Sequence, residues 1–144
     1  MEKRFYVDSC IYLNLWQKEI SNTGIPFWKI AKEFFEKLED ENAVVYHSGY
    51  LLKELSFILN KEEFTKKKKM FESSPNFRRV MLSDKEFELA REIEIKVNKQ
   101  ISFYEIIHMI LARKTNSILI TRDKMLLQIS KRFKVVAMKP EDLL

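Results

Sequence analysis

A chain of 144 residues, 46% apolar and 33% charged, has the make-up of one folded domain over residues 1–144, which excludes a disordered chain. Its two glycines, Gly24 and Gly49, exclude a P-loop or dinucleotide fingerprint, and its one cysteine, Cys10, excludes an internal disulfide framework. The net charge of +5, from 26 Lys and Arg against 21 Asp and Glu, is compatible with a polyanionic partner.

Apolar runs fall well short of the ~18 residues a membrane span needs. The opening "MEKRFYVDSC" lacks an apolar stretch of signal-peptide length, so the expectation is a cytoplasmic protein with no membrane partner. Cys10 reads as a small packed side chain more readily than as a nucleophile.

In chain order, "RFYVDS" is a short β-rich run. "PFWKIAKEFFEKLEDE" places Phe27, Ile30, Phe34 and Leu38 at helical spacing, with Pro26 near its start. "AVVYHS" is strand-like, "YLLKELSFILN" and "EEFTKKKKMFES" are helical, and "FRRVML" is strand-like again. "SDKEFELAREIEIKVN" opens on Ser83 with Glu86 three residues on, a capping box. "SFYEIIHMILARKT" is helical, "SILIT" a strand, "DKMLLQISKRF" a helix and "KVVAM" a last strand. Strands are therefore expected near residues 4–8, 43–47, 78–82, 117–121 and 134–138. Short apolar strands alternating with helices predict an α/β fold, a three-layer α/β/α sandwich around a central, mainly parallel five-stranded sheet.

In such a sheet ligands bind beyond the carboxyl ends of the strands, where the strand order reverses. Asp8 ends the first strand and Asp123 follows the fourth, so both belong on that edge. Glu54 and Glu105 interrupt the two most apolar helices, which offer no obvious polar stripe to hold them. Each acid also has a structural reading: Asp8 and Asp123 as helix N-caps, Glu105 in a capping box with Ser102, Glu54 on an exposed stripe beside Lys53. Carboxylates without clustered Cys or His suit a hard cation, Mg²⁺ or Mn²⁺. His47 and His108 are not at ligand spacing with each other, and His108 reads as a hydrogen-bonded core residue.

"YVDSCIYLN", "YLLKELSFIL", "SFYEIIHMILARKTNSILITRDKML" and "VVAMKPEDLL" together make the chain resemble the PIN-domain ribonucleases, which include the VapC-like toxins. The resemblance runs over nearly the whole length. The family's first acid matches Asp8, its helical Glu matches Glu54, and the acid of "TRD" matches Asp123. The remaining acid is usually Asp in the family, and Glu105 stands there in this sequence.

The resemblance implies a divalent-metal-dependent endonuclease acting on RNA. Asp8, Glu54, Glu105 and Asp123 would be its catalytic and metal-binding residues, with Mg²⁺ or Mn²⁺ as cofactor. Ser9 and Thr121 are expected to support the ligands, with local backbone capping as their other reading. Arg122 and the run Lys66, Lys67, Lys68 and Lys69 are expected to contact substrate phosphates, with a solvated helix face as the run's other reading. Tyr12, Tyr50 and Tyr104 can stack on bases or pack internally. A homodimer and a small antitoxin partner are implied by the family alone. Two other readings stand beside it: a receiver-type phosphoacceptor module, disfavoured because Asp84 sits in a capping context, and a catalytically silent PIN-like RNA-binding or scaffold protein.

Overall fold

The computed structural model describes residues 2–144. Five strands, β1 (Arg4–Val7), β2 (Val44–His47), β3 (Phe77–Arg79), β4 (Ile118–Ile120) and β5 (Ala137–Met138), form one parallel sheet in the order β3-β2-β1-β4-β5. The chain builds outward from β1 to β3, then crosses to the other side of β1 for β4 and β5. The reversal falls between β1 and β4, where Phe5 pairs with Ile118 and Val7 with Ile120. In sheets of this kind the ligand site lies at the carboxyl ends of the strands that flank such a reversal, the edge that carries Asp8.

Seven α-helices cover the sheet: α1 (Ser9–Trp16), α2 (Phe27–Asp40), α3 (Gly49–Ile58), α4 (Lys61–Ser73), α5 (Asp84–Lys96), α6 (Phe103–Lys114) and α7 (Lys124–Arg132). Alternation along β1 sends Phe5 and Val7 into one core and Tyr6 into the other. The first core takes Val45 and Ile120 from the sheet and the apolar faces of α1 to α4, with Ile11, Phe34, Leu51 and Phe71 fully buried. The second takes Leu119 and packs α5, α6 and α7 through Ile93, Ile106, Ile107 and Ile129. No helix among the described residues is long and apolar enough to cross a membrane.

The expected strands are present, with two shifts. Residues 134–136 were expected to be part of β5. Instead Lys134 takes a φ of 59°, and Val135 N–H bonds the Ser130 carbonyl, so these residues turn out of α7. β3 begins one residue early, at Phe77, and its regular pairing ends at Arg79, although Val80 N–H still reaches the His47 carbonyl at 2.8 Å.

Helix α1 is foreshadowed only by the N-cap reading of Asp8, not by its own residues. Its sequence "SCIYLNLW" buries four successive residues, Ile11, Tyr12, Leu13 and Asn14, and so lacks a contrasting polar stripe. Tyr12 is enclosed by Trp16, Phe35 and Phe71 and is not available for stacking on a base. Tyr50 and Tyr104 are half-buried and meet edge-on, with ring centroids 6.0 Å apart.

Candidate active site

Asp8 stands where β1 becomes α1. One carboxylate oxygen accepts the Ser9 amide at 2.8 Å as the helix N-cap, and the other accepts the Thr121 hydroxyl at 2.8 Å. The strand itself fixes this pairing, because Asp8 N–H donates to the Ile120 carbonyl at 2.9 Å. The Ser9 hydroxyl lies 3.5 Å from Oδ1 and the Cys10 thiol 3.4 Å from Oδ2. Burial and the Asp8 charge push the Cys10 thiol well above its usual range, so it is not a ready nucleophile.

Glu54 projects from the second turn of α3 and meets the Nε2 of His108 on α6. His108 is completely buried; its Nδ1 lies 2.6 Å from the Tyr6 hydroxyl, which lies 2.7 Å from Ser48 Oγ. Donor atoms of Asp8, Glu54 and His108 all fall within 4.8 Å of one another. Two ligands across an octahedral ion of Mg²⁺ size lie about 4.2 Å apart, so the Asp8 and Glu54 carboxylates are near the span one such ion requires, with His108 against Glu54.

Glu105 occupies the third position of α6. Its Oε1 accepts the Ser102 amide at 3.2 Å in a full capping box, while its Oε2 is buried and has no hydrogen-bond partner. Desolvation holds its carboxyl above the usual range, the Ser102 hydrogen bonds oppose that, and the charges of Asp123 and Asp8 add to it. A buried carboxylate oxygen with no donor, near enough to two more acids for their charges to act on it, has the chemistry of a cation ligand.

Asp123 caps α7 by accepting Leu126 N–H at 2.8 Å and is otherwise exposed. The capping readings of Asp8, Asp123 and Glu105 are thus all realised. They leave Glu105 Oε2 free, and of the three only Asp8 belongs to the group whose donor atoms lie within 4.8 Å of one another.

A PIN-domain family model matches residues 5–132. The chain belongs to the PIN-domain family. PIN domains are generally nucleases, hydrolases that use divalent metals. The fold is similar to that of solved structures at low identity. FitAcB from Neisseria gonorrhoeae is 15% identical with a TM-score of 0.64, over 95% of this chain and 98% of that one. VapBC2 from Rickettsia felis, solved bound to a DNA fragment from its promoter, is 16% identical with a TM-score of 0.65, over 94% and 98%. VapBC-1 from nontypeable Haemophilus influenzae is 14% identical with a TM-score of 0.65, over 96% and 98%. No curated protein matches the chain.

Within this PIN domain Arg122 is not a free cation. Its guanidinium donates to Asn14 at 3.1 Å and to Glu141 at 2.9 Å, and stacks over Phe27 at 3.9 Å. It ties α1, the start of α2 and the C-terminal turn Pro140–Leu143 together, which argues against the phosphate contact expected of it. The α4 lysines lie away from the acids. Lys66 pairs with Glu62 at 3.7 Å, and Lys67 sits over Trp16, at the opposite end of α1 from Asp8. Lys68 and Lys69 are exposed. The exposed lysines next to the acids in the chain are Lys53 and Lys124, which sequence reasoning did not select.

The sequence reads His108 as a hydrogen-bonded core residue. It is one, yet it touches Glu54. The available signal was its spacing of three from Glu105, which puts both on one side of α6.

Proposed function

We propose that this PIN domain, acting as a single unit over residues 1–144, is an Mg²⁺- or Mn²⁺-dependent endoribonuclease and the toxin of a toxin–antitoxin pair. The observation that carries the nuclease reading is the unpartnered, buried Glu105 Oε2 beside Asp8 and Asp123 at the strand-order reversal. The donor set is dominated by carboxylate oxygens, which suits a hard divalent cation better than a thiolate-seeking metal.

Asp8, Glu54, Glu105 and Asp123 would hold the cation. When bound, it supplies Lewis acidity, which makes water a better nucleophile at neutral pH and stabilises charge on phosphate oxygens. Asp8 is kept in one orientation by Thr121 and the Ser9 amide, and Asp123 by the first turn of α7. Fixed carboxylates of this kind cost little reorganisation on binding. Lys53 and Lys124, exposed beside Glu54 and Asp123, would meet backbone phosphates without reading sequence. The exposed α4 lysines Lys66, Lys68 and Lys69 would act only on a strand long enough to reach them.

The toxin reading rests on the VapC-like resemblance and on the FitAB and VapBC character of the similar structures. It carries the expectation of a small antitoxin that binds this chain, and of a homodimer. The substrate class is tested by incubating the protein with single-stranded RNA, structured RNA and single-stranded DNA in Mg²⁺ or Mn²⁺. Cleavage within RNA strands and none of DNA is expected. Cleavage of DNA alone, or of neither, contradicts the ribonuclease reading.

A further inference from the structure

Glu54 is the one member of the acidic set whose partner is a buried imidazole. The polar groups behind that imidazole form a closed course that leaves α3 and returns to it. Ser48, the N-cap of α3, accepts Leu51 N–H at 3.2 Å through Oγ. Its own hydrogen is then free for the Tyr6 oxygen at 2.7 Å, and the Tyr6 hydrogen for His108 Nδ1 at 2.6 Å. Nδ1 filled in this way leaves the ring proton on Nε2, which faces Glu54 Oε1.

The opposite direction leaves two faults. A proton on Nδ1 would point to Tyr6 and the Tyr6 hydrogen to Ser48, and the Ser48 hydrogen would have no acceptor in this cluster. In a neutral ring a bare Nε2 would also face a bare carboxylate oxygen. Such mismatches are costly where water cannot reach, and Tyr6 and His108 are both fully buried.

We propose that His108 is a positioning residue: Ser48 and Tyr6 fix its tautomer so that Nε2–H holds Glu54 toward the divalent cation, and His108 itself is not a ligand. This rests on the metal-nuclease reading above. The same hydrogen bond that orients Glu54 occupies the only ring nitrogen able to reach the cation. Donors behind a ligand of this kind typically change metal affinity by about 10–100-fold when removed.

The test is long-range nitrogen–proton NMR of histidine-labelled protein, which carries only His47 and His108, without metal and with Mg²⁺. Mn²⁺ affinity is measured by EPR on wild type, Tyr6→Phe, His108→Gln and His108→Leu. The His108 proton is expected on Nε2 in both spectra. Tyr6→Phe should populate both tautomers and weaken Mn²⁺ binding about tenfold. His108→Gln, which keeps an N–H for Glu54, should bind Mn²⁺ better than His108→Leu.

A proton on Nδ1, a nitrogen shift showing coordination after metal is added, or wild-type affinity in a folded His108→Leu overturns the proposal. If His108→Leu does not fold, the wild-type spectra and Tyr6→Phe decide. Nε2 protonated and Mn²⁺ bound, but RNA uncut, sinks the ribonuclease reading and leaves this one standing. A proton on Nδ1 with cleavage intact does the reverse, and a wild type that binds no Mn²⁺ overturns both.

Discussion

Thr121 and Asp8 are 113 residues apart in the chain, yet the Thr121 hydroxyl donates to Asp8 Oδ2 at 2.8 Å. The β1–β4 pairing makes this contact, since Val7 lies opposite Ile120 and each residue follows directly on its strand. Thr121→Val keeps the shape and removes the donor, leaving only the Cys10 thiol on that oxygen. A loss of about 1–3 kcal/mol in stability and of about tenfold in Mn²⁺ affinity is expected. Urea denaturation and a Mn²⁺ titration would check both.

Glu105 lies close enough to Asp8 and Asp123 for their charges to raise its proton affinity, on top of the larger effect of desolvation. A bound divalent cation should relieve this. Binding at about 100 times the dissociation constant adds ~2.7 kcal/mol, or roughly 5–10 °C in melting temperature for a chain of this size. Glu105→Gln should raise the melting temperature of the metal-free protein and shrink the gain on adding Mg²⁺. Scanning calorimetry with and without EDTA measures each quantity.

His47, packed against Phe71, gives the fold an acid-sensitive point. Burial, and then Arg79, lower its imidazole from 6.5 to about 4, with Glu72 opposing. The unfolded chain therefore takes up this proton at a higher pH than the folded one. Stability contributed here is complete above pH 6.5 and declines as pH falls toward 4, by on the order of 2–3 kcal/mol at the lower end. The difference between wild type and His47→Gln, followed by denaturation across that window, should narrow as pH falls.

Arg122 precedes Asp123 in the chain, but its side chain is engaged with other elements. Its side chain is 12% exposed and joins Asn14, Glu141 and Phe27. Lysine can neither fork between two acceptors nor stack in the same way. Arg122→Lys should cost about 1–3 kcal/mol in stability, read by urea denaturation, while a Mn²⁺ titration remains near wild type.

The sheet was legible because strands buried on both faces are written as short, unbroken apolar runs, as in "AVVYH" and "SILIT". Helices with strong contrast between faces, such as α2, were legible for the complementary reason. Helix α1 was hidden because four successive residues from Ile11 to Asn14 are buried, which removes the helical period from the sequence. The acids could be assigned to one sheet edge, since strand ends at a reversal of order converge. The Glu54–His108 contact joins residues 54 positions apart on different helices, and nothing local to either announces it. Nor does "TRD" reveal that its arginine turns toward Asn14 while its aspartate caps α7.

The most direct measurement compares RNA cleavage by wild type and Asp8→Asn in Mn²⁺ or Mg²⁺, with an EDTA control on wild type. Asparagine retains a side-chain oxygen for the Ser9 amide, so circular dichroism should show the helices intact. Cleavage by wild type that disappears with EDTA and falls by at least about 100-fold in folded Asp8→Asn is the expected result. Equal cleavage by the two proteins, or cleavage that persists in EDTA, would contradict a metal-dependent ribonuclease site built around Asp8.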